Sequence, residues 1–177
     1  MKSKLNLFDL LFRYSLILLL GIGNIFLLSI ILTPATIYSL FFLLSLVYSQ
    51  ITLSGNLILL NSYTIEIISA CVAVSAYYLL IVLNLSTPMP LKTRIYSLFC
   101  SLIALFTINI LRLFILAIFF VNSFAFFDLI HKVFWYGLST IFILIIWFSL
   151  VKLFNIKEMP IYSDLKKLTK LIKNRTS

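Results

Sequence analysis

The chain has 177 residues, is 63% hydrophobic and only 11% charged, and carries a formal net charge of +9. Soluble domains hold roughly half their residues as apolar and about a quarter as charged, so a water-soluble core has no means of hiding this much apolar surface, whereas lipid does. The composition predicts an all-α polytopic membrane protein with about five spans of about 20 residues each, a membrane domain over residues 1–154, a basic tail over 155–177, and no separate soluble domain.

The first apolar run is Tyr14 to Leu32, after a short amphipathic start from Leu5 to Arg13. It exceeds the 7–15 residues of a signal-peptide core and reads as a retained span. Thr33-Pro34-Ala35-Thr36 then reads as a tight break, because Pro is costly inside a helix and Thr36 is a suitable cap for the next one. The second run is Ile37 to Ile51. From Leu53 to Ala70 the texture changes to LSGNLILLNSYTIEIISA. Leu57–Leu60 and Ile65–Ile68 flank an Asn61-Ser62 turn signal, and Ile65 and Ile67 alternate with Thr64 and Glu66. This pattern predicts a short hairpin or a re-entrant, surface-lying segment before the third span.

The third run, Cys71 to Leu85, ends in a Pro-broken loop carrying Lys92 and Arg94. The fourth is Ile95 to Val121, interrupted by Asn109 and Arg112. Asn122 to Ile130 is a short connection, and the fifth run is Val133 to Phe154. From Lys152 onward seven basic residues stand against Glu158 and Asp164. Two spans separate the Lys92/Arg94 loop from this tail, so both lie on one face, the cytoplasm by the positive-inside rule. Cys71, the far half of the fourth span and His131 then face outward. Lys2, Lys4 and Arg13 also want the inside, yet three crossings before Lys92 would place them outside. Two resolutions are open: residues 53–70 dip into the membrane, or the N-terminus is external.

Chemistry concentrates in few side chains. Arg112 costs at least about 2.5 kcal/mol to place within a span. It therefore has a role inside the bundle, or it snorkels to the headgroups. Asn109, one turn earlier, shares its face. Cys71 begins the third span, where a helix N-terminus favours the thiolate; the alternative is an inert buried thiol. Cys100 lies near the basic loop, away from the other polar groups, and reads as inert. His131 is the single histidine, and Asp128, three residues earlier, is positioned to cap its helix. His131 is either a proton shuttle for a thiol or an interfacial polar anchor. No Cys/His cluster has the spacing of a metal site, no Gly-rich phosphate loop is present, and no aromatic-basic platform for nucleic acid accompanies the charge. Neither cofactor nor metal is expected.

The order Ala70-Cys71-Val72-Ala73, then Asn109-Ile110-Leu111-Arg112, then His131-Lys132-Val133, with spacings of 41 and then 19 positions from Cys to Arg to His, resembles the exosortase/archaeosortase family. It is most similar to that family's compact archaeal-type members. The resemblance covers roughly residues 42–150. The family commonly has Cys-Ser-Gly or Cys-Thr-Gly followed by Arg or Gln and a Ser; here Ala73 stands at the Gly position and Ser75 and Ala76 follow. The resemblance implies a membrane cysteine protease/transpeptidase with Cys71, Arg112 and His131 as catalytic residues and Asn109 and Asp128 in support. Such enzymes cleave a C-terminal sorting signal of exported proteins through a Cys thioester and pass the new C-terminus to a lipid or similar acceptor. The residues alone leave two other classes open. One is a small transporter with Arg112 binding an anion, although paired repeats and broken helices in both halves are absent from the sequence. The other is a noncatalytic membrane assembly factor, which gives no reason for Cys71, Arg112 and His131 to converge.

Overall fold

The computed structural model describes residues 7–60, 62–134, 137 and 139–156. The basic tail expected beyond Ile156, like Lys2 and Lys4, lies outside them. The described chain is largely helical, in the order α1 (Leu7–Ser45), β1 (Ile51–Ser54), β2 (Leu57–Leu60), β3 (Tyr63–Glu66), α2 (Ser69–Val72), α3 (Val74–Ser86), α4 (Leu91–Val121), α5 (Phe127–Val133) and α6 (Ser139–Leu153). Three stretches are helical, long and apolar enough to cross a membrane: Leu28–Ser45, Ser69–Ser86 and Leu91–Val121; α6 is a shorter apolar helix.

The first apolar run and most of the second form one helix, which ends at Ser45. Pro34 lies inside α1, and Thr36, expected to cap a second helix, is fully buried. The physical reason is the solvent. In water, breaking a helix at Pro leaves backbone groups that water satisfies; in an apolar run there is no such partner, so the helix continues and only the carbonyl one turn back loses its donor. The Ser29 and Thr33 hydroxyls lie 3.3 Å apart at this turn.

Where a hairpin was expected there is a three-stranded antiparallel meander in the order β1-β2-β3. The extra strand, β1, takes Ile51 from the end of the second apolar run. Gly55 turns β1 into β2 with φ +60°, the sign that a II′ hairpin turn requires of its first central residue. Alternation then sorts the side chains. Ile58 and Leu60 are buried, while Leu57, Leu59, Thr64 and Glu66 are exposed. The buried face packs with Leu40, Leu44, Leu113 and Ala117, so the sheet sits against α1 and α4. Tyr63 fastens β3 to the end of α4, its hydroxyl 3.0 Å from Ser123 Oγ and its ring edge-on to Phe120.

A second core joins α3, α4 and α6 through Tyr77, Leu80, Leu105, Ile146 and Trp147. The buried stripe of α4 includes Arg94, Ser97, Ser101 and Asn109, while Ile95, Tyr96, Phe99, Ile103 and Leu111 are exposed. Polar groups turned inward and large apolar ones turned outward are the arrangement of a helix solvated by lipid.

Candidate functional site

Cys71 does not begin the long third helix. It lies in the one-turn helix α2, and α3 starts only at Val74. Between them Ala73 is in the left-handed region at φ 58°, ψ 37°. That conformation costs a residue with a Cβ roughly 1–2 kcal/mol. The Cys71 carbonyl meets α4. There the Asn109 side-chain amide donates to the Cys71 oxygen at 3.1 Å, and Arg112 Nη2 donates to the same oxygen at 3.4 Å. The spacing of one turn between Asn109 and Arg112 thus delivers two donors to a single acceptor.

Arg112 makes a further bond. Its Nη1 donates to Ser139 Oγ at 2.9 Å, and Ser139 donates in turn to the Phe134 carbonyl at 2.7 Å. The guanidinium therefore bridges the Cys71 segment and the start of α6. Its Nε is buried with no hydrogen-bond partner among the described residues. This geometry differs from snorkelling, in which the head reaches water and only the stem is covered. The fully buried Tyr77 lies within electrostatic reach of Arg112, and its hydroxyl has no hydrogen-bond partner among the described residues.

His131 comes from α5, not from the start of the last long apolar helix as expected. Its ring lies 5.5 Å from that of Phe127. Cys71, Arg112 and His131 line one small pocket with Leu113, Leu116 and Phe134, of about 20 Å³, room for about one water molecule. Cys71 and His131 also line a larger adjoining pocket of about 210 Å³, walled by β3, α4 and α5. Arg112 and Ser139 border a third hollow on the α3–α6 side.

Two supporting expectations change. Asp128 does not cap the helix of His131: α5 begins at Phe127, its N-cap is Phe126, and no side chain caps it. Asp128 is exposed in the first turn and lines a separate hollow with Tyr63 and Ser123. Cys100 is exposed on α4, on the side that carries Tyr96 and Ile103. Both cysteines are free thiols, and no group of three or more His, Cys, Asp or Glu side chains able to hold a metal ion occurs among the described residues. Ser139 and Tyr77 are parts of the site that sequence reasoning did not reach. The Ser139-Thr140 pair at the head of a largely apolar helix is the one signal that marks Ser139.

The fold and this cluster define a helical, membrane-associated protein in which a thiol, a guanidinium and an imidazole border one small pocket. The chain matches no protein-family model, no curated protein and no solved structure.

Proposed function

We propose that the protein is a multi-pass membrane thiol transpeptidase of the exosortase/archaeosortase type, acting on C-terminal sorting signals of exported proteins. The observation that carries this reading is that Cys71, Arg112 and His131, from three different helices, line the same small pocket. Ala73 supports it as well: the position at which the family pattern carries Gly takes the left-handed conformation that Gly adopts without strain.

The chemistry follows from the side chains. The Cys71 thiol gives its proton to His131, and Sγ attacks the carbonyl carbon of the scissile peptide bond. Negative charge that builds on the carbonyl oxygen is offset by the fixed guanidinium of Arg112, the strongest effect available in a water-poor site. Collapse breaks the C–N bond, His131 returns the proton to the leaving amine, and the new C-terminus remains as a Cys71 thioester. A nucleophile on the acceptor, a hydroxyl or amine of a lipid or similar molecule, then attacks the thioester carbonyl and restores the thiol.

The finer topology is four crossings: α1, α2 with α3, α4, and the shorter α6. One crossing between Arg13 and the sheet puts Arg13 on the same face as Lys92, Arg94 and Lys152. The charge conflict of the five-run reading then disappears, and the sheet and pocket face outward from the cell membrane. The test is substrate length in cells carrying Cys71→Ala or Cys100→Ala. The first variant accumulates unprocessed substrate, and the second processes normally. Normal processing by Cys71→Ala ends the thiol mechanism.

A further inference from the structure

The larger pocket beside Cys71 has an unusual wall. Thr64, Ile65, Glu66 and Ile67 all line it. Successive side chains of a strand point to opposite faces of a sheet, so Thr64, Ile65 and Glu66 of β3, with Ile67 just after it, reach one hollow together where the strand presents its edge. β3 is such an edge, since β2 pairs on one side and, among the described residues, no strand pairs on the other. The register identifies the unpaired groups. Ile67 N–H donates to the Asn56 carbonyl at 3.0 Å, which makes Ile67 and Asn56 a hydrogen-bonded pair. Bonded and non-bonded pairs alternate along an antiparallel ladder, so Ile65↔Ile58 and Tyr63↔Leu60 are also bonded pairs. Thr64 and Glu66 therefore aim their main-chain N–H and C=O groups away from β2. Neither makes a backbone hydrogen bond to another element among the described residues.

We propose that this edge is the substrate seat: a short extended peptide adds as a fourth strand beside β3, exchanging main-chain hydrogen bonds with Thr64 and Glu66, and its backbone is thereby laid beside Cys71. This deepens the transpeptidase reading and rests on it. Strand addition gives affinity through the main chain and selectivity through alternate side chains. The selective position is opposite Glu66, the one carboxylate among the residues lining the pocket. A side chain directly across from it on the added strand stands on the same face, about 5 Å away, so the seated peptide carries Lys or Arg there. The slot is short. Tyr63 is tied to Ser123 at one end, and just past the other end the Cys71 N–H donates to the Ile68 carbonyl at 2.9 Å, so about three residues of extended chain are held, at roughly 3.3 Å each.

The test uses the full chain in detergent with Cys100→Ala, and N-acetyl-tetraalanyl chloromethyl ketone as probe. The Cys71 thiolate displaces chloride from this reagent, and the rate is read by intact mass. N-methylation of each alanine nitrogen in turn is expected to slow labelling at alternate positions only, by about tenfold, since one N–H in two faces β3. Lys at the position opposite Glu66 is expected to label several-fold faster than Glu there, with the order reversed in Glu66→Lys. Labelling indifferent to N-methylation at all four positions, or a Lys/Glu order that Glu66→Lys leaves unchanged, overturns the seat. Iodoacetamide labelling of Cys71, which needs no seat, separates that failure from an unreactive thiol. Processing by Cys71→Ala cells reports independently on the transpeptidase reading itself.

Discussion

The side-chain amide of Asn109 donates to the main-chain carbonyl of Cys71 across 3.1 Å, so a residue in the middle of α4 holds the candidate nucleophile by its backbone and leaves the thiol uncommitted. Arg112 repeats the contact at 3.4 Å and adds a bond to Ser139. The two donors therefore have separable consequences. Asn109→Ala removes one of two bonds to a shared acceptor, worth about 0.6 kcal/mol for a polar contact between membrane helices. Cys71 labelling and substrate processing are expected to fall only about threefold, with the melting temperature in detergent slightly lowered. A loss as large as that from removing Cys71 would mean that Asn109 contacts the substrate.

Arg112→Lys keeps the charge but not the fork. A single ammonium on a flexible stem lacks the planar array that reaches Cys71 and Ser139 together. Processing is expected to drop about a hundredfold or more, the scale of losing a positioned donor at a developing oxyanion, while the protein still accumulates in the membrane fraction. Near-wild-type processing would make Arg112 a structural anchor and leave the site to Cys71 and His131.

Ala73 and Gly55 form a matched pair. Ala73 sits at φ 58° with a Cβ, and Gly55 at φ +60° without one. A Cβ at Gly55 meets nothing within 4 Å, so Gly55→Ala carries a conformational cost alone. Thermal unfolding in detergent is expected to show Ala73→Gly stabilised and Gly55→Ala destabilised, each by about 1 kcal/mol. A destabilised Ala73→Gly would mean that the methyl group packs more strongly than the backbone strains.

Topology is checked by single cysteines in a background carrying Cys71→Ser and Cys100→Ser. Ser62→Cys, in the β2–β3 turn, is expected to react with a membrane-impermeant maleimide added to intact cells. Lys92→Cys, at the head of α4, is expected to react only after permeabilisation. Both positions are exposed, so the contrast reports sidedness. Reversal of the two results overturns the orientation.

Much of the fold was legible in the residues because lipid solvation writes itself into composition. The run Ile95 to Val121 lies within α4, the loop around Pro88 and Pro90 precedes it, and the strand-like alternation of Thr64 to Ile67 falls on and just after β3, whereas the five runs give three helical stretches long enough to cross a membrane and one shorter helix. The break expected at Pro34 does not occur, because propensities learned in water overstate what Pro does where no water competes for the backbone. The third strand stayed hidden because Ile51 and Leu53 continue an apolar run whose period alone does not tell helix from strand. Within the site, Asn109 and Arg112 were legible from their cost in an apolar run. Ser139 was not, because a serine at a helix start is an ordinary cap until its partner is known. Asp128 misled for the same reason: a short acidic residue before a helix reads as a cap, and α5 begins before it.

The measurement that bears most directly on the central claim is the covalent state of Cys71 during turnover. Cells producing the wild-type chain with its exported substrates are acid-quenched, and the Cys71 peptide is mapped by mass spectrometry with and without hydroxylamine. The account predicts a hydroxylamine-labile acyl adduct on Cys71 that ends in the new C-terminus of the substrate, none on Cys100, and substrate left full-length in Cys71→Ser cells. Substrate processed at normal levels with no acyl adduct on Cys71, or in cells carrying Cys71→Ser, would contradict it.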